Sequence, residues 1–186
     1  MKLTSESDIK TLVENDKDMM RVLRIARDFG LPDWWIGAGF LRCRVWDEQS
    51  GFTETTGLKD VDVVYFNGDD VQPETDWQYD KDLLVVAPDV NWEVRNQARM
   101  HCINGNEPFT STEDGIAHWT ETATAVAVKL DGEEVKLLFC YGSDDLLNIV
   151  ARPTPYFTGV NSQTVRDRIE KKQWRKKWPM LQIKDL

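Results

Sequence analysis

Residues 59–66, with the sequence KDVDVVYF, constrain the fold more than any other part of this 186-residue chain. The run is β-branched and aromatic after its first residues, which is typical of a short buried strand. Because side chains alternate between the faces of a strand, Asp60 and Asp62 point one way and Val61 and Val63 the other. Two ionised carboxylates side by side on a core strand repel each other and lose hydration. A divalent cation offsets both costs, and carboxylate ligands suit Mg²⁺ or Mn²⁺.

The Asp-x-Asp pattern is not specific by itself, because residues 16–18 and 80–82 match it as well. Its alternative interpretation is a solvated pair at a strand end with no function. Only the pair at 60 and 62 begins a run apolar enough to be a core strand, and this context favours the metal-binding interpretation.

Composition excludes several classes of protein. The chain is 41% hydrophobic and 30% charged, which is typical of a globular domain rather than a disordered or membrane protein. Its net charge of −9 disfavours a general nucleic-acid binder. The first ten residues lack the apolar run of a signal peptide, and the three cysteines are odd in number and far apart. We therefore expect a single domain over residues 1–186, in the reducing cytoplasm, with no zinc site.

Periodicity predicts a mixture of helices and strands. We expect helices over residues 9–26, which Asn15-Asp16 can divide in two, and over 40–48, 112–119 and 162–177. Predicted strands cover residues 34–36, 61–66, 91–95, 124–130, 134–139 and 149–152, with a hairpin turn at Asp131-Gly132. Residues 67–82 have the composition of an acidic, turn-rich stretch, and residues 83–86 fit either a helix or a strand. The order of elements predicts an α/β or α+β fold with a mixed sheet flanked by helices.

Two further motifs carry chemistry. Residues 36–40, IGAGF, form a small-residue turn between a strand and a helix, where backbone N–H groups can approach a phosphate. The turn lacks the Lys-Ser/Thr of a P-loop and the third glycine of a dinucleotide fingerprint, so the alternative is an ordinary tight turn. Residues 91–95, NWEVR, place Glu93 between apolar neighbours on a later strand. Glu93 is a candidate site acid, and the alternative is a core-edge residue paired with Arg95 or Arg99.

The order of these three motifs resembles the nucleotidyltransferase superfamily of the polymerase-beta type. Longer blocks are similar to a bacterial family of nucleotidyltransferase-like proteins, formerly a domain of unknown function. These blocks are WIGAGFLR…VWD, DVDVVYF, WEVRNQARMH, TATAVAV, YGSDDL and RPTP, and the similarity runs from about residue 17 to 182. One departure is the spacing of twenty residues between Gly39 and Asp60, which is longer than usual and fits a full helix and loop.

The resemblance implies a metal-dependent enzyme that transfers a nucleoside monophosphate from an NTP, with ATP expected, to an unidentified acceptor. In such an enzyme Asp60 and Asp62 hold Mg²⁺ or Mn²⁺, and Glu93 is a third ligand or a general base. Gly37 and Gly39 receive the β- and γ-phosphates. Candidate phosphate contacts are the guanidinium groups of Arg42, Arg95 and Arg99. The alternative is a nucleotide- and metal-binding or RNA-interaction domain of the same fold without turnover.

The C-terminal residues 166–178 differ in charge from the rest of the chain. Seven basic and two acidic residues give this segment a charge of +5, in a predicted helix spanning residues 161–178. Its interpretations are a solvated face or a lip of the cleft that attracts a nucleotide or an RNA end. We expect a monomer, since no interface stripe is evident, and no membrane partner; nucleic acid is not the favoured partner.

Overall fold

A mixed five-stranded sheet forms the centre of the fold in the computed structural model, which describes residues 2–186 apart from the side chains of residues 104 and 160. The strands are β1 (Trp35–Gly37), β2 (Val61–Tyr65), β3 (Trp92–Asn96), β4 (Val126–Asp131) and β5 (Glu134–Phe139). They lie in the order β3-β2-β1-β4-β5, with β2 and β3 parallel and the other pairs antiparallel. The predicted α/β class with a mixed sheet is confirmed.

Nine α-helices of the described residues surround this sheet. They are α1 (Glu6–Asn15), α2 (Lys17–Phe29), α3 (Gly39–Gln49), α4 (Pro73–Val86), α5 (Gln97–Asn104), α6 (Thr112–Ala117), α7 (Asp144–Leu147), α8 (Ser162–Lys171) and α9 (Trp174–Lys177). A second, small sheet pairs β6 (Val150–Ala151) with β7 (Gln182–Ile183) in parallel. None of the helices in residues 2–186 has the length and apolar character to cross a bilayer.

The predicted break in the first helix falls at Asp16. Its backbone N–H donates to the carbonyl of Val13 at the end of α1, and its side chain accepts from the N–H groups of Asp18 and Met19 at the start of α2. One residue thus caps two helices, because its extended backbone leaves its carboxylate beside free amides. The two helices pack along β5 and β4 and bury their apolar faces there.

The stretch 67–82 differs from its prediction, because it contains most of α4 rather than turns. Pro73 occupies the first helical turn, and Glu74 and Asp76 carry negative charge where the helix dipole is positive. Asp76 is fully buried and accepts hydrogen bonds from the hydroxyl of Tyr65 and the N–H of Asn96. The acidic composition therefore reflects helix-start and core-network positions, which resemble a solvated turn in the sequence alone.

The predicted basic helix over residues 162–177 is also divided, into α8 and α9. Gln173 between them has φ = 53°, a left-handed conformation that an α-helix cannot continue through. The break turns Trp174 and Trp178 onto Trp46 of α3, with edge-to-face ring-centroid distances of 5.5 and 5.0 Å. All three tryptophans are buried, so this cluster attaches the C-terminal segment to the main core.

The two faces of β2 pack in different hydrophobic clusters. Val61, Val63 and Tyr65 are buried in the main core under the helices. Val64 lies on the opposite face in a smaller apolar cluster with Ile116 of α6 and two alanines of the β4 region. Residues at even positions share that second face, which is therefore the face on which Asp62 emerges.

Candidate active site

The two aspartates lie at the beginning of β2. Asp60 immediately precedes the strand and Asp62 is its second residue, and both are partly exposed while Val61 between them is buried. The alternation that the sequence predicts is therefore present. It leaves both carboxylates on the face away from the main core.

Glu93 is the neighbour of Asp62 across the parallel pair of β2 and β3. Their Cα atoms are register partners, which brings the two side chains to the same face of the sheet. Burial, followed by the negative charges of Asp60 and Glu93, raises the pKa of Asp62 to about 6. Lys172 and Arg168 act in the opposite direction. The three acids thus influence one another electrostatically, and a cation is the natural way to keep Asp62 ionised.

The donor set fits Mg²⁺ through two aspartates rather than through a closed cage. Among residues 2–186, no group of three His, Cys, Asp or Glu side chains is close enough to hold a metal ion together. Glu93 lies towards Arg95, with 3.6 Å between Nη2 and Oε2. Mg²⁺ commonly takes one or two carboxylates and completes its octahedron with waters and substrate phosphates. Asp60 and Asp62 fit that pattern, whereas Glu93 would have to turn away from Arg95 to serve as a third ligand.

The glycine turn connects β1 to α3 beside these acids. Gly37 ends the strand, Ala38 has φ = 53° and ψ = −120°, and Gly39 begins the helix. No side chain caps α3 and no acid lies in its first turn, so its positive end is open to an anion. A Cβ at Gly37 would stand 2.4 Å from Cη2 of Trp119, so this glycine permits a close approach of that indole.

A cavity of about 200 Å³ lies between the glycine turn, the start of β2 and the C-terminal helices. We refer to it as the cationic cavity. Asp60, Asp62 and Gly39 line one side of it. Its basic lining residues are Arg42, Lys59, Arg168, Lys171, Lys172 and Lys177. Partial desolvation and the nearby charge of Arg168 lower the pKa of Lys172, while Asp60 and Asp62 favour its charged form.

A second cavity, of about 320 Å³, lies on the other side of Asp62 and Arg168, which line both spaces. Glu93 borders it, together with Phe109, His118 and Trp119. We refer to it as the aromatic cavity. The ring centroids of Phe109 and His118 lie 4.6 Å apart, and those of His118 and Tyr156 lie 3.7 Å apart, both pairs in a tilted arrangement. The site therefore has a cationic half and an aromatic half that meet at Asp62.

Arg42 lines the cationic cavity but is 3% exposed. Its guanidinium lies over the ring of Trp174 at 4.3 Å, and Nη1 donates to the hydroxyl of Thr124 at 2.8 Å. Its Nε is buried without a hydrogen-bond partner among the described residues. Arg42 thus contributes a positive charge with no carboxylate partner to the floor of the cavity.

Arg95 and Arg99 are each held by carboxylates. Arg95 pairs with Asp80 at 3.0 Å and with Glu93. Arg99 pairs with the fully buried Asp76 through Nε and Nη2. Only Arg95 of these two lines the aromatic cavity. A helix does start after Asn96, as one interpretation of the sequence expects, and Gln97 begins it.

Several lining residues were not singled out in the sequence. Lys171, Lys172 and Arg168 gave a signal only as part of the +5 segment, whose position in the fold was open. Trp119 and Phe109 gave no signal beyond aromaticity. The sequence could not indicate these residues because α8 is far from Asp62 in the chain, and local patterns do not show which distant elements pack together.

These features define a class of protein. Paired aspartates at a strand start, a third acid in register with them and a glycine turn opening a helix constitute a nucleotidyltransferase fold of the polymerase-beta type. The chain belongs to a nucleotidyltransferase family, which matches it over residues 24–183. Transfer of a nucleoside monophosphate is the general activity of this family.

One solved structure is similar over nearly the whole chain. It is an NMR structure described as revealing a CCA-adding enzyme head domain, with 32% sequence identity and a TM-score of 0.87. The similarity covers 99% of this chain and 98% of the other. No curated protein matches this sequence.

Two larger enzymes share the fold at 14% identity. The Thermotoga maritima CCA-adding enzyme complexed with tRNA(CCA) has a TM-score of 0.57 over 97% of this chain, and a CCA-adding enzyme with ATP has 0.54 over 95%. This chain covers 42% of each of those chains. At this identity the likeness establishes the fold.

Proposed function

We propose that this protein is a Mg²⁺-dependent nucleotidyltransferase that transfers a nucleoside monophosphate from ATP or another NTP to an acceptor hydroxyl. The observation that carries the proposal is the register of Asp62 with Glu93, beside Asp60 and at the boundary of the cationic cavity. Burial and two acidic neighbours raise the pKa of Asp62, and lysines and arginines line the same cavity, an arrangement suited to a metal-bound polyphosphate.

In the proposed reaction the acceptor oxygen attacks the α-phosphorus, and the bond from that phosphorus to the bridging oxygen breaks. Pyrophosphate leaves, and the acceptor proton goes to Glu93 acting as a base. Asp60 and Asp62 hold Mg²⁺, which when bound neutralises negative charge that develops on the reacting phosphates. The protein contributes chiefly position and electrostatics.

The glycine turn orients the donor. The open N-terminus of α3 at Gly39 would direct its N–H groups to the β- and γ-phosphates, while Gly37 keeps the turn close to Trp119. Arg42 adds charge from the floor of the cavity. In this proposal Arg95 and Arg99 act on phosphates only after exchanging a carboxylate partner, and Arg95, which is already next to Glu93, is better placed to do so.

The acceptor is proposed to approach through the aromatic cavity, because Glu93 borders that cavity and is not among the residues lining the cationic one. Its aromatic rings favour a planar group, such as a nucleobase or another aromatic ring, next to the reacting hydroxyl. The solved structures described as complexes with ATP and with tRNA(CCA) support an NTP donor and make an RNA end one candidate acceptor.

A nucleotide-binding domain without turnover is the second candidate. The ion pair between Glu93 and Arg95, and the absence from residues 2–186 of a closed three-ligand site, favour it. In that case Asp60 and Asp62 would bind Mg²⁺-nucleotide, and Glu93 would stay with Arg95.

Transfer from α-³²P-labelled NTPs to cell-extract RNA and to a small-metabolite fraction tests the proposal. We expect labelled product with Mg²⁺, and its loss in Asp62→Asn with the fold retained. The matched control is Asp131→Asn, a same-type change at the exposed last residue of β4, which lines neither cavity. ATP binding by wild-type protein without label transfer under any condition would favour the second candidate.

A further inference from the structure

The basic C-terminal segment, residues 166–178, places only some of its basic residues at the candidate active site. Arg168, Lys171, Lys172 and Lys177 line the cationic cavity. Arg166, Arg175 and Lys176 line a separate surface depression on the other side of the segment. One segment therefore presents two basic faces, of which one meets Asp60 and Asp62 and the other does not.

The backbone that carries these basic residues is attached to the main core. Trp174 and Trp178 are buried against Trp46, and the indole N–H of Trp178 donates to Asp47 at 2.7 Å. Arg168 is held by Glu121, with 3.1 Å between Nε and Oε1, and Glu121 is fully buried. The backbone positions of the lysines are therefore set before a ligand binds, which reduces the entropy lost on binding.

The charge in the cavity is not balanced by the protein. Six basic residues line the cationic cavity together with Asp60 and Asp62, in a chain whose overall charge is −9. Within residues 2–186, Lys171, Lys172 and Lys177 form no ion pair with a carboxylate, and Arg42 is partnered by a hydroxyl and aromatic rings. Gathering unpaired cations in one concave space is costly unless an anion binds between them.

We propose that Lys171, Lys172 and Lys177 bind the β- and γ-phosphates of the donor and hold the pyrophosphate that is released. This inference rests on the proposed function and adds a phosphate-binding wall that the motifs in the first half of the chain do not include. Ammonium groups suit this role because they act as point charges and tolerate the different oxygen positions of a triphosphate and a pyrophosphate.

A compact polyphosphate fits these observations better than an RNA backbone does. The cationic cavity is small, about 200 Å³, and its charges converge on Asp60 and Asp62 rather than following a surface track. Binding along a nucleic acid would instead use the outward face with Arg175 and Lys176 as well.

Inorganic tripolyphosphate is the probe, titrated into the full chain with Mg²⁺ by calorimetry. We expect Lys172→Ala and Lys171→Ala each to raise the tripolyphosphate Kd about tenfold or more, since a charge-assisted contact is lost. The matched control is Lys176→Ala, a same-type change on the outward face of the same segment, and we expect less than a twofold effect. Lys172→Arg should restore most of the affinity, and circular dichroism checks that each variant is folded.

The outcomes separate this inference from the proposed function. Equal losses in Lys172→Ala and Lys176→Ala, or no loss in either Lys171→Ala or Lys172→Ala, would overturn the phosphate-wall inference even if labelled NMP transfer occurs. A selective loss supports the inference even if no transfer is found, and then only the proposed reaction fails. Competition by single-stranded RNA that depends on Lys176 as strongly as on Lys172 would assign the segment to RNA and also overturn it.

Discussion

The indole Nε1 of Trp178 donates a 2.7 Å hydrogen bond to Oδ1 of Asp47, across 131 positions of sequence. Trp178 is fully buried and Asp47 is 2% exposed. The other carboxylate oxygen of Asp47 accepts from the backbone N–H and the hydroxyl of Thr56. This one carboxylate therefore joins the end of α9, helix α3 and the loop that leads to Asp60.

Trp178→Phe tests this connection. The change removes the indole donor and some buried volume, and it leaves Oδ1 of Asp47 without its partner. We expect a loss of about 2–4 kcal/mol in the free energy of unfolding, measured with urea. Tripolyphosphate affinity should fall as well, because the lysines of α8 and α9 lose their attachment. The control is Trp77→Phe, at a residue that is 52% exposed, and a stability of Trp178→Phe equal to that control would contradict the connection.

Asp62→Asn should stabilise the metal-free protein while abolishing Mg²⁺-dependent binding. The pKa of Asp62 is raised to about 6 by burial and by its acidic neighbours, so ionisation of this group opposes folding. That destabilisation is absent below the unfolded-state pKa near 4, grows between about pH 4 and 6, and is complete above pH 6. A shift of about two units corresponds to at most about 3 kcal/mol.

The measurement is the urea-unfolding free energy in EDTA from pH 4 to 8, for wild type and Asp62→Asn. The variant should gain stability relative to wild type as pH rises through this window, whereas Asp131→Asn should follow the wild type. Mg²⁺ should stabilise the wild type above pH 6 and less so at pH 5, where the carboxyl is protonated. A parallel pH profile for wild type and Asp62→Asn is incompatible with the raised pKa.

Ala38→Gly should relieve backbone strain in the glycine turn. Ala38 has φ = 53° and ψ = −120°, a conformation that costs a residue with a Cβ about 1–3 kcal/mol and that glycine adopts readily. Glycine also increases the conformational entropy of the unfolded chain, which destabilises the fold by about 0.4–1 kcal/mol. The net expectation is a stabilisation of about 0–2 kcal/mol. Ala87→Gly is the control, since Ala87 is also buried but has φ = −141°, and this change should only lose stability. A larger loss of unfolding free energy in Ala38→Gly than in Ala87→Gly would show that the backbone at Ala38 is not strained.

Arg99→Ala separates two roles for that arginine. Arg99 pairs with Asp76, which is fully buried and also accepts from Tyr65 at 2.8 Å. Removing one partner of a buried ion pair costs about 3–5 kcal/mol, so a large fall in the melting temperature is expected. Arg99→Lys should recover part of it. ATP affinity, measured by calorimetry below the melting temperature, should change less than threefold.

Either of two results would revise this assignment. An unaltered melting temperature in Arg99→Ala would show that the pair with Asp76 is unimportant. A fall of tenfold or more in ATP affinity with the fold intact would place Arg99 on the phosphates, as the sequence resemblance implies. Arg95→Ala is the useful comparison, because Arg95 is partly exposed and borders the aromatic cavity.

Features that depend on neighbours in sequence were predicted well. The strand over residues 61–65 and the helix break at Asp16 are present. The predicted hairpin is present too, with its turn at Gly132-Glu133, one residue beyond Asp131-Gly132. Each is decided by strand alternation, by the turn conformation or by helix capping, within a few residues. The motif order also led correctly to the nucleotidyltransferase family, because the motifs that identify it are short stretches of contiguous sequence.

Features that depend on distant contacts were decided by the tertiary structure. Residues 67–82 enter a helix because Asp76 finds buried donors on β2 and β3, and the C-terminal helix breaks because two tryptophans pack on Trp46. Likewise the pairing of Asp62 with Glu93 is fixed by strand register, and the approach of Lys172 by the packing of α8. The sequence by itself determined the acids and the glycine turn. Only the packed fold decided which positive charges face them, because elements more than 100 residues apart meet through surface complementarity that no local pattern reports.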